Sequence, residues 1–153
     1  MRLVLRLSLA FVALSALLPG LEGTLGPSSF YASFPVGRGW VELLPPYNEH
    51  LVRDVGGFYL AFAILFAWAA VALAPALIVP LCVAWSVAAV LHAIFHVTHL
   101  DGFGTGDAIA QTAGLVAVLA LPALALWLMR VGEPDENRAR AADRRPLARG
   151  LRG

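Results

Sequence analysis

Four stretches of the chain are apolar almost without interruption, and the polar residues collect between and after them. The stretches are residues 7–18, 55–73, 77–99 and 108–129, and no Asp, Glu, Lys or Arg occurs from residue 55 to 100 or from 108 to 129. About 20 apolar residues in a row are enough to cross a bilayer core as a helix. The pattern therefore predicts an all-α protein, an antiparallel four-helix transmembrane bundle. Residues 1–20 read as the first transmembrane helix and residues 21–54 as an extracytoplasmic loop with the start of an interfacial helix. Residues 55–130 read as a three-helix transmembrane core, and residues 131–153 as a disordered, arginine-rich cytoplasmic tail.

The boundaries carry their own signals. Arg2 and Arg6, an apolar run and then Pro19-Gly20 also form the layout of a secretory signal peptide, but no clean small-x-small site follows the run, which favours a retained helix. Gly, Pro, Ser and aromatic residues between 21 and 52 suggest a loop on the membrane interface, where Trp and Tyr prefer to lie. Pro45-Pro46 blocks a helix, and Asn48 is placed to cap one starting at Glu49. On that helix Glu49 and Arg53 stand at i, i+4, as do His50 and Asp54. The second span opens with Gly56-Gly57, which allows close helix approach, and the turn around residues 74–76 makes the third span its antiparallel neighbour. A glycine-rich turn, residues 101–107, leads to the fourth span with Thr105 or Asp107 as cap, and Pro122 should kink that span.

Composition agrees: 59% of the 153 residues are hydrophobic and 14% charged, with a mean hydropathy of +0.76. An ordinary soluble domain is excluded. The single Cys82 cannot form an intramolecular disulfide and reads as a small buried apolar residue. All eleven basic residues are arginine, and Arg2, Arg6 and seven from Arg130 to Arg152 flank the outer spans, against Arg38 and Arg53 in the first loop. The positive-inside rule then puts both termini in the cytoplasm of a multi-pass protein of a bacterial inner (plasma) membrane. The tail suits anionic lipid. Nucleic acid is an unsuitable partner, because acids are interspersed among its arginines.

Candidate chemistry gathers at one end. His92, His96 and His99 occupy positions i, i+4 and i+7, within about 60° of one helical face and along about 10 Å of axis. The fourth histidine, His50, falls at the same membrane face, with Asp54, Glu49, Arg53, Asp101, Asp107 and Gln111. HxxxH is a usual spacing for two helical histidines on one metal. A transition-metal site (Zn, Fe or Cu) is thus one reading, using His92 and His96 with His50, His99, Asp54 or Asp107. A b-type haem between His50 and His92 or His96 is another. The plainer reading is a hydrogen-bonded network of Arg53, Asp54 and the histidines that fastens three helix ends. HExxH, a phosphate loop and a nucleophile elbow are missing from the sequence. Trp68, Trp85 and Trp127 read as packing and interface anchors.

The segments Pro46-Tyr47-Asn48-Glu49-His50-Leu51-Val52-Arg53-Asp54-Val55-Gly56 and His96-Val97-Thr98-His99-Leu100-Asp101 resemble those of small bacterial four-span membrane proteins that are broadly similar to DoxX-like bundles. The resemblance covers about residues 30 to 130. It implies a four-helix membrane fold and carries over no activity, cofactor or functional residue. The sequence leaves three functions open: a structural or accessory subunit associated with another membrane protein or a second copy, a metal-binding hydrolase or redox enzyme, and a carrier of a small ligand or protons. Of these, the accessory subunit is the expectation.

Overall fold

The computed structural model describes residues 1–44 and 46–143, with side chains as far as residue 131. It is all-helical: α1 (Arg2–Leu25), α2 (Pro27–Ser33), α3 (Glu49–Ala72), α4 (Pro75–Thr98) and α5 (Thr105–Asp143). Helices α1, α3 and α4 and the part of α5 from Thr105 to Val131 are long and apolar enough to cross a membrane. This is a multi-pass membrane protein in which the spans satisfy their own backbone hydrogen bonds, as lipid requires.

α1 and α3 form the tightest pair, and they run antiparallel. Contacts link the start of α1 to the end of α3, where Arg6 reaches the Val71 carbonyl, and the end of α1 to the start of α3, where Arg53 Nη1 donates to the Thr24 carbonyl at 2.6 Å. Small residues make the approach possible. A Cβ on Gly56 would lie 2.8 Å from the Thr24 backbone nitrogen and 2.9 Å from the Gly23 carbonyl carbon, and one on Gly20 would lie 2.9 Å from the Leu60 nitrogen. Close packing of this kind, with no hydrophobic drive between helices in lipid, is what holds membrane helices together. α1 also contacts α5, α5 packs on α4, and α3 and α4 touch only sparsely, although only Leu73 and Ala74 separate them.

Ends and turns follow local chemistry. Asn48 caps α3, its Oδ1 accepting from Leu51 N at 3.1 Å, as the sequence predicts. Leu73 adopts a left-handed conformation at φ 50° and lets the chain reverse into Pro75, which suits the first position of α4. Three boundaries differ from expectation. α1 continues through Pro19 to Leu25, because its small-residue face is held against α3 beyond that point. Residues 27–33 form α2 rather than an irregular loop, with Pro27 at its first turn. α5 runs on to Asp143 where a disordered tail was expected from residue 131; Ala, Arg and Glu in that stretch are strong helix formers. The rest of the expected tail, residues 144–153, lies outside the described residues.

The bundle has two unlike halves. Toward the chain termini, Leu9, Val12, Phe66, Ile78, Cys82, Pro122 and Ala125 are fully buried in one core. Trp85 closes this core. Its ring meets Tyr59, Phe62 and Phe66 edge-on at 5.9, 5.3 and 5.4 Å, a favoured aromatic geometry, and its Nε1 donates to the Val118 carbonyl at 2.9 Å. Pro122 explains that acceptor: lacking N–H, it leaves the carbonyl four residues earlier without its helical donor. Beyond Trp85 the helices no longer fill the interior.

Candidate ligand-binding site

The unfilled space is a cavity of about 530 Å³ between the helices at the end that carries the start of α3 and the end of α4. Its walls come from all four long helices, and its cover from α2 and the turns that follow it. The lining is mostly apolar and aromatic, with no Asp, Glu, Lys or Arg among the described residues.

The cover is built residue by residue. Gly37 and Gly39 take left-handed conformations, at φ 79° and 64°, and a Cβ on Gly39 would press on the Ala32 carbonyl oxygen at 3.1 Å. This tight turn returns Trp40 over α2, where Trp40 N donates to the Phe34 carbonyl at 2.7 Å. Phe30–Phe34 and Tyr31–Tyr47 ring pairs at 4.7 and 5.2 Å stiffen it. Arg38, between the two glycines, pairs with Asp107 in the first turn of α5. The cover is thereby tied to the helix that carries Gln111 one turn further on.

Three polar groups of the lining have atoms that are buried and lack a protein partner: Trp40 Nε1, His96 Nδ1 and Gln111 Nε2. Gln111 is only 5% exposed. It stands within hydrogen-bonding reach of the His96 ring, and the contact still leaves those two nitrogens unpaired. His92 lines the same space, with its ring centroid 4.3 Å from that of His96. A further acceptor is built into α1, where Pro19 deprives the Ser15 carbonyl of its helical donor and both residues border the cavity. The remaining unpaired atom of this kind, Thr24 Oγ1, belongs to the α1–α3 crossing.

Of the residues expected to form one cluster, the structure brings His92, His96 and Gln111 together and disperses the others. His99 falls just past the end of α4. Its ring stacks on Phe95 at 4.2 Å and its Nδ1 donates to the Phe95 carbonyl at 2.8 Å, so it finishes the helix rather than extending the stripe. His50 and Asp54 face away from the cavity. At about 100° per residue, Asn48, Val52, Val55 and Tyr59 share the cavity side of α3, and His50 and Asp54 lie opposite. Those two pair with each other at 3.3 Å, with the histidine side chain 87% exposed. Arg53 accepts no role in the cavity either, holding Glu49 at 2.9 Å and the Thr24 carbonyl. Asp101 is exposed in the turn before α5, and Asp107 holds Arg38. Among the described residues no three His, Cys, Asp or Glu side chains come together as a metal site.

Trp40, Tyr59 and Trp85 were not legible as site residues. The available signals were slight: two glycines around an arginine just before Trp40, and a proline four residues after Val118. Comparison with protein-family models, with curated proteins and with solved structures gives no match.

Proposed function

We propose that the protein binds one small amphiphilic molecule in the cavity, as an intramembrane ligand-binding or carrier protein. The observation that carries this reading is the set of three unpaired polar atoms in the lining of an apolar chamber. A buried donor or acceptor without a partner costs about 1–3 kcal/mol, and a ligand supplying the missing partners recovers that cost. The chamber's size falls in the usual range for small-molecule sites, which are apolar with a few convergent polar groups. An accessory subunit has no use for unpaired polar atoms in its interior, so the ligand reading is preferred to it. The arginine distribution supports an inner-membrane placement with both termini cytoplasmic and the cavity end outward.

The test uses Gly114. A Cβ added there meets nothing within 4 Å, although the residue borders the cavity, so Gly114→Phe fills the chamber without disturbing the backbone. Native mass spectrometry of protein released gently from membranes should show a small molecule bound at about one per chain. The adduct should be absent from Gly114→Phe. A wild-type protein carrying nothing beyond solvent, and unchanged by exposure to membrane extracts, would overturn the reading.

A further inference from the structure

The chamber is not closed on all sides. A second hollow of about 200 Å³ lies between α3 and α4 and shares Val55, Tyr59, Trp85, His92 and Val118 with the first. Phe58, Phe62, Ala88 and Ala89 line this hollow alone. Phe58 is 70% exposed and Ala88 is exposed, each well inside a helix long and apolar enough to cross a membrane. Of the long helices that touch one another, these two pack least. The reason is visible in the chain: one turn beyond Trp85, α4 offers the hollow only the methyl groups of Ala88 and Ala89, whereas α1 has drawn α3 to itself through Gly20, Gly23 and Gly56. The result is a slot from the lipid-facing surface to the chamber, reaching it beside Trp85 and His92.

Building on the ligand reading above, we propose that the ligand is a neutral lipid that enters sideways through this slot. Its head, uncharged and bearing at least two hydrogen-bond-accepting oxygens, sits at Trp40, His96 and Gln111, and its hydrocarbon chain lies in the slot. The chemistry of the walls selects this class. Trp40 Nε1 and Gln111 Nε2 are neutral donors, so the head must accept. A phosphate, carboxylate or ammonium head would enter an apolar chamber with no Asp, Glu, Lys or Arg among its described lining residues, and burying an unpaired charge is prohibitively costly. The apolar slot fits a chain, and a molecule dissolved in the bilayer need never cross the covered end formed by α2.

The experiment uses the full chain in lipid nanodiscs and a monoacylglycerol with a photoreactive diazirine in its chain. Irradiation should label α3 around Phe58–Phe62 and α4 around Ala88–Ala89, and unlabelled monoacylglycerol should compete while the matching fatty-acid anion and lysophosphatidic acid should not. Ala88→Trp, which blocks the slot, should reduce labelling at least about tenfold, and Gln111→Leu should weaken competition about tenfold, the equivalent of one buried hydrogen bond. Val87→Trp, on the neighbouring exposed position outside the slot, should leave both unchanged and controls for the bulky substitution.

The outcomes separate the two readings. A co-purifying molecule that Gly114→Phe removes but Ala88→Trp does not, together with no specific labelling of the slot, overturns lateral entry and leaves the ligand site standing. Equal competition by the charged lipids overturns the neutral head. Loss of folded protein in Ala88→Trp, judged by gel filtration, transfers the decision to Ala89→Phe, for which undiminished labelling overturns the slot.

Discussion

The halves of the bundle on either side of Trp85 are made of the same apolar residue types, yet one is packed and the other is hollow. In the terminus half, Leu9, Val12 and Ala16 of α1, Ala63 and Phe66 of α3 and Ile78 and Cys82 of α4 belong to one core with almost no exposure. In the histidine half, α1 still holds α3 through glycines, but α4 stands away from α3 and the space is bordered by large rings and three unpaired polar atoms. Apolar content therefore does not distinguish a core from a chamber in this protein. Helix spacing does, and the polar atoms mark which of the two has been kept open.

The contrast can be broken hardest in the packed half. Phe66→Ala removes a fully buried ring from the floor beneath Trp85 and should destabilise the protein by about 3–5 kcal/mol, read as a lowered midpoint in a detergent-titration or thermal unfolding assay. Next comes the α1–α3 seam: Gly56→Val must push apart backbones that leave no room for a Cβ, for an expected loss of about 1–3 kcal/mol in the same assay. Trp85→Phe keeps the ring contacts but removes the bond to the Val118 carbonyl, at a cost of about 1 kcal/mol. In a Pro122→Ala background the helix supplies its own donor to that carbonyl, so the cost should shrink; a double-mutant cycle showing no coupling would refute the link between the two residues.

The hollow half should respond far less. Gln111→Leu removes an unpaired buried donor together with the contact to the His96 ring, two effects of opposite sign that should leave the ligand-free protein within about 1 kcal/mol of wild type, while lowering the stabilisation that bound ligand confers. A large destabilisation of the ligand-free protein would mean that Gln111 is structural. The smallest effect belongs to His50→Ala. Its pair with Asp54 is a surface contact between two exposed side chains, and such pairs contribute little, so neither unfolding nor ligand retention should change measurably.

Much of the fold could be read directly from residues. Asn48 before Glu49, Pro75 after the second span and the long stretches without charge each act locally, and each appears where expected. The site was legible only in part. The i, i+4 spacing of His92 and His96 placed them together, and Gln111 was grouped with them as a residue of the same membrane face. His99, one turn further, was lost because the helix stops at Thr98. His50 was lost because sharing a membrane level with other histidines says nothing about which way a helix is turned.

The number of membrane spans, the cap at Asn48, the turn before Pro75 and the spacing of the histidines depend on neighbours within a few residues and on transfer of side chains to lipid, and the sequence by itself determined them. The tertiary structure alone decided the rotation of α3, the folding of residues 27–44 over the end of the bundle and the gap beside α4. Those features arise from contacts between distant residues, Gly23 with Gly56, Arg38 with Asp107 and Trp85 with Val118. In lipid, where every span is equally apolar, close steric fit and a few hydrogen bonds choose among the arrangements that hydropathy leaves equivalent.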